Sequence, residues 1–148
     1  MSLSLFTIGY ERRNINTFLE ELIQHGISLL IDIREIPLSR KPGFSKSKLK
    51  EHLERFNIKY IHAKELGSPK NLRKKLCKDN NYDHFFEEYR AYLKTKIETV
   101  RNLYWDAIVH EVSCLMCIEN EPSCCHRKIV AEKIKKEIDN FGLIVRHL

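Results

Sequence analysis

No apolar run in this sequence approaches the roughly 20 residues that a membrane-spanning helix needs. The opening residues, MSLSLFTIGY, lack a basic segment followed by a long apolar one, so no secretory leader is expected. Both absences predict a cytosolic protein with no membrane partner. Internal repeats and low-complexity linkers are missing too. A chain of 148 residues then predicts one domain, residues 1–148, with a single core. Disulfides are not expected in a reducing cytosol. The five cysteines are therefore read as metal-binding, catalytic or buried.

What is present is a positive balance. A net charge of +6 favours phosphate-bearing or otherwise anionic partners, although solvated lysine-rich faces give the same number.

Along the chain the periodicity alternates between strand and helix. Leu3 to Ile8 is a short buried strand ended by Gly9. Asn14 is placed to cap a helix carrying Ile15, Phe18, Leu19, Leu22 and Ile23, with Gly26 just past its end. Ser28 to Ile33 is apolar except for Asp32, as in a parallel strand covered on both faces. Pro37, Pro42 and Gly43 predict a loop. Ser45 or Ser47 then caps a helix with Leu49, Leu53 and Phe56, and Ile58 to His62 is a third strand. Ser68–Pro69 opens a helix with Leu72 and Leu76. Phe85, Phe86, Tyr89, Leu93, Ile97 and Val100 predict one long helix from Tyr82, its aromatics read as core. Glu111 to Ile118 is the next strand. Ser123 is the expected cap of a last helix bearing Val130, Ala131, Ile134 and Ile138. Leu143 to Leu148 closes the chain as a strand. This rhythm predicts an α/β fold: a single layered domain with a mainly parallel central sheet flanked by helices.

In open α/β sheets, ligands bind outside the carboxyl ends of the strands. Three polar stretches sit at such ends: Gly9, Tyr10 and Glu11; Asp32, Arg34 and a basic loop; and Cys117, Glu119 and the run Cys124–Cys125–His126–Arg127. If the strands are neighbours, these residues share one rim. Asp32 and Arg34, two apart, share a face and can form an ion pair. Arg40, Lys41, Lys46, Lys48 and Lys50 suit phosphate contacts, or simply a solvated loop. Cys125, placed at a helix start beside His126 and Arg127, is expected to have a lowered thiol pKa and is a candidate nucleophile. The same turn equally fits anion binding by Arg127. Glu119 is a candidate acid/base.

Cys114-x2-Cys117 with Cys124, Cys125 and His126 has the spacing of a zinc pattern. Strand geometry opposes it, because residues three apart point to opposite faces. Cys117 with Cys125 or His126 is left as a smaller site. Cys114 is expected in the core, and Cys77 on its lysine-rich helix is expected to be incidental.

The motifs TIGYE, IDIR-x-x-P-x-SRKPGFSK, ELG at Glu65–Gly67 and CIE-x5-CHR together resemble the prokaryotic family known as domain of unknown function 488. The resemblance runs from Thr7 to Leu148. Its matching polar positions are Tyr10, Glu11, Asp32, Arg34, Ser39, Arg40, Lys41, Phe44, Cys117, Glu119, Cys125, His126 and Arg127. Arg12 departs from the glycine usual after GYE, and Cys114 and Cys124 lie outside the pattern. The family implies no activity. IDIRE is also similar to the aspartate–arginine strand end of rhodanese-like sulfurtransferases. Their catalytic loop, however, is closed by an arginine about five residues after the cysteine, where this chain has Pro122 and Ser123.

The expectation is an enzyme acting on a phosphate-bearing ligand, nucleotide or nucleic-acid-like, at the carboxyl rim of the sheet. Arg34, Arg40 and Arg127 would bind the anion. Glu119, Cys125 and His126 would do the chemistry, supported by Tyr10, Glu11, Asp32 and Cys117. No cofactor and no metal is assigned, and no oligomeric state. The alternatives are a non-catalytic nucleic-acid-binding module using the 34–50 loop and a small metal-binding protein.

Overall fold

The computed structural model describes residues 3–148. Among these, five strands form one sheet: β1 (Ser4–Gly9), β2 (Leu29–Asp32), β3 (Lys59–His62), β4 (Ser113–Cys117) and β5 (Ile144–His147), in the order β3-β2-β4-β1-β5. Every pairing is parallel. β4 fills the position between β1 and β2, so the three polar strand ends noted in the sequence are adjacent.

Parallel strands need helical crossovers, and these cover both faces. On one face Phe6, Ile8, Leu30, Cys114 and Met116 pack under α1 (Ile15–Gln24) and α2 (Lys46–Glu54). On the other, Leu5, Leu29, Ile31, Leu115 and Cys117 pack under α3 (Lys70–Asp79), α4 (Tyr82–Lys94), α5 (Ile97–Leu103) and α6 (Arg127–Lys133). The expected α/β layering is therefore observed. Cys114 and Cys117 point to opposite layers, as strand alternation requires. No helix among the described residues is long and apolar enough to cross a membrane.

Local chemistry sets the element ends. Asn14 caps α1 through the Thr17 amide, and Thr17 returns the bond, a reciprocal cap worth about 1 kcal/mol. Gly26 follows at positive φ, where a side chain is disfavoured.

Three expectations are corrected. The long helix from Tyr82 breaks at Thr95–Lys96, where i→i−3 bonds tighten the last turn and the Thr95 hydroxyl donates to the Tyr92 carbonyl at 2.6 Å. Ser123 caps nothing: Pro122–Cys124 is a 3-10 turn, and α6 starts only at Arg127. Phe56 lies beyond α2 and is exposed.

Candidate active site

At the carboxyl end of β2, Arg34 is buried against Asp32. Its Nε donates to Asp32 Oδ1 at 2.9 Å and its Nη2 to Oδ2 at 2.7 Å. Nη1 donates to the Tyr10 hydroxyl at 3.2 Å and the Phe44 carbonyl at 2.8 Å. Tyr60 adds a hydroxyl bond to Asp32 Oδ2 at 2.6 Å. Burial opposes the Arg34 charge, but Asp32 and Tyr10 outweigh it and push the guanidinium pKa up. The ion pair expected from the two-residue spacing is thus present. Four of the five guanidinium N–H groups are committed to it and its neighbours, leaving one on Nη2.

The basic loop that follows is pinned down. Phe44 is fully buried, stacked on Tyr10 at 4.4 Å and edge-on to Phe18 at 5.1 Å. Lys41 Nζ donates to the carbonyls of Tyr10 and Glu11 at 2.9 and 2.6 Å. Ser45 Oγ donates to the Ser39 carbonyl and accepts from its amide. Arg40 is exposed on this loop.

At the end of β4 the chemistry differs. Cys117 Sγ lies 3.8 Å from His126 Nδ1. His126 Nε2 lies 3.0 Å from the Ile33 carbonyl, which only accepts, so Nε2 carries a hydrogen, and in the neutral imidazole Nδ1 has the lone pair. Tyr89 packs edge-on against the imidazole at 5.0 Å and anchors itself on the Leu66 carbonyl. Ligand atoms of Cys117, Cys125 and His126 all fall within 4.8 Å of one another.

Cys125 does not have the environment expected of it. It precedes α6 and is buried, and that burial, with Cys117 beside it, pushes its thiol up rather than down. His126 is also raised: burial acts to lower it, but Cys125, the Ile33 carbonyl and Glu119 act more strongly. Both directions mean that the pair gives up its proton reluctantly.

Arg127 is fully buried. Nε donates to Thr7 Oγ1 at 3.1 Å, Nη1 to the Glu119 carbonyl, and Nη2 to the Asn120 carbonyl at 3.1 Å. It ties the turn after β4 back to β1. Gly9 is needed beneath this turn, because a Cβ there would overlap the Glu119 carbonyl.

A cleft of about 440 Å³ opens between these strand ends and the α3–α4 hairpin. Arg34, Cys117, Glu119 and His126 line it, with Ile36, Leu38 and Ile118 as an apolar lip. Glu119 Oε2 is shielded from solvent and has no hydrogen-bond partner among the described residues. Tyr10, Glu11, Asp32, Arg40, Cys125 and Arg127 do not line the cleft.

Sequence reasoning missed the opposite wall: Ser68, Arg73, Cys77 and Tyr82. Arg73 bonds Glu35 Oε1 at 2.8 Å and the Ser68 carbonyl, bridging α3 to the segment after β2. One signal could have found this wall. Gly67 of the ELG motif packs so closely on the Glu35 backbone that a Cβ would overlap it.

A family model described as Domain of unknown function DUF488 matches residues 14–134. No curated protein and no solved structure matches the chain.

Proposed function

The chain belongs to the DUF488 family, whose description carries no activity, and from that premise we propose that it is an enzyme acting on a small phosphate-bearing, nucleotide-like ligand held in the rim cleft. Arg34, through its remaining N–H, and Arg73 hold the anionic group. Ile36, Leu38 and Ile118 cover the apolar part. Glu119 is the proton-handling carboxylate. His126 has its Nε2–H committed to Ile33, so it forms the floor of the cleft with Cys117. Arg127 and Arg40 leave the anion-binding set, the first because it holds the turn, the second because it lies outside the cleft.

The observation that carries this reading is the unpartnered Glu119 Oε2. A buried polar atom without a partner costs about 1–3 kcal/mol, and more if charged. The nearby Asp32 carboxylate, by contrast, is fully bonded. A ligand donor or a transferable proton would complete Glu119. The cleft volume also falls in the usual range for small-molecule sites.

The test is a titration of nucleoside monophosphates and their unphosphorylated nucleosides, followed by calorimetry. The monophosphates should bind, the nucleosides at least tenfold more weakly. Arg73→Gln should weaken monophosphate binding about tenfold, the loss of one charged hydrogen bond. Equal binding of both ligand classes, or affinity indifferent to Arg73, refutes the assignment.

A further inference from the structure

Cys117, Cys125 and His126 come from two segments that the fold brings together: the end of β4 and the turn before α6. Their ligand atoms lie within 4.8 Å of one another, with Cys117 Sγ and His126 Nδ1 3.8 Å apart. Adjacent ligands of a tetrahedral Zn²⁺ stand about 3.5–3.8 Å apart, given Zn–S of about 2.3 Å and Zn–N of about 2.0–2.1 Å. The Cys117–His126 pair is therefore at about the edge length of a zinc tetrahedron, and a pair at the 4.8 Å limit would close to it by a shift of about 1 Å.

The tautomer fits as well. Metal-bound histidines usually donate their second ring N–H to a carbonyl or carboxylate, which fixes the ring. His126 Nε2 has the Ile33 carbonyl at 3.0 Å, which leaves Nδ1 as the ligand atom of the neutral imidazole. Two thiolates and an imidazole favour Zn²⁺ over the harder Mg²⁺, Ca²⁺ and Mn²⁺.

From this the geometry points to a Zn²⁺ site formed by Cys117 Sγ, Cys125 Sγ and His126 Nδ1, with its fourth position open to the rim cleft. Cys117 and His126 line that cleft and Cys125 lies behind them, so a metal bound by all three has an entry path and an exposed side. Three protein ligands with one open position is the arrangement of catalytic rather than structural zinc. Glu119 lines the same cleft with its Oε2 unpartnered, where a zinc-bound water could donate to it. The site deepens the enzyme reading and rests on it only for the use of the open position.

The test is metal uptake by the whole chain, purified with reductant and stripped with chelator. Wild-type protein titrated with Co²⁺ should take up one equivalent and develop thiolate-to-cobalt charge-transfer absorption, which Zn²⁺ then abolishes. X-ray absorption of the zinc form should count two sulfur ligands and one imidazole. Cys117→Ser and Cys125→Ser should each weaken uptake at least tenfold, whereas Cys114→Ser, in the opposite core layer, should leave it unchanged. Absence of stoichiometric uptake by folded wild-type protein overturns the site, as does a sulfur count other than two. The wild-type measurements stand even if a serine variant fails to fold. Nucleoside monophosphate titration of the zinc-free protein separates the two claims. Ligand binding without metal uptake removes the zinc site and keeps the cleft; metal uptake without ligand binding does the reverse.

Discussion

At the carboxyl end of β2, Asp32 accepts twice from the Arg34 side chain and once from Tyr60, and Arg34 is left with one free N–H. One strand away, at the end of β4, Glu119 Oε2 accepts from nothing among the described residues, and Cys117, Cys125 and His126 share only long, weak contacts. Both clusters are polar, shielded and on the same rim. The first has nearly all of its hydrogen-bonding capacity met from within the protein, so its removal should be felt as lost stability. The second has capacity left over, so its removal should be felt as lost function.

The sharpest test of that difference is a pair of truncations. Asp32→Ala leaves the Arg34 charge buried and unpaired, which should destabilise the fold by about 3–5 kcal/mol. Glu119→Ala removes an unpartnered shielded oxygen and should leave stability unchanged or raise it by up to about 1–3 kcal/mol while impairing turnover. Denaturant unfolding of both variants reads the contrast, and equal costs would break it. Arg127→Met comes next. It strands two turn carbonyls and takes one of its two partners from Thr7 Oγ1, and should cost about 3 kcal/mol. Gly9→Ala forces the same turn away from β1, and about 2 kcal/mol is expected, with weaker ligand binding as Glu119 moves. Tyr10→Phe removes a single acceptor from Arg34 and should cost about 1 kcal/mol.

The smallest effect is one of pH. Thr7 Oγ1 accepts from Arg127 and pairs with His147 Nδ1 at 2.6 Å, a bond in which the hydroxyl donates when His147 is neutral. Burial, then Arg127 and Lys128, lower the His147 pKa in the folded state. The unfolded chain therefore takes up the proton first, and this contribution is present above about pH 6.5 and lost as pH falls below it. His147→Gln should flatten stability between pH 7 and 5. An unchanged slope would remove His147 from the account.

Much of this was legible in the sequence where a relation depends on spacing alone. The two-residue step from Asp32 to Arg34 gave the ion pair, and the three-residue step from Cys114 to Cys117 gave opposite layers. The alternation of strand and helix gave parallel strands whose polar ends meet on one rim. Saturation was not legible. Whether Arg127 faces a ligand or a turn depends on where the Glu119 and Asn120 carbonyls point; Pro122 marks a turn there but does not say which way those carbonyls face. The same turn shifts the start of α6 past Cys125 and reverses the thiol's expected shift. Arg73 was missed because the hairpin reaches the cleft only through the Gly67–Glu35 contact, 32 residues apart in sequence.

The central claim is that the cleft at the end of β4 is the working site. Backbone amide mapping by NMR during titration with a nucleoside monophosphate tests it most directly. The account predicts shifts concentrated in residues 34–38, 68–85 and 117–126, with 46–50 unmoved. Shifts confined to the basic 40–50 stretch would contradict it and place binding on the surface of α2.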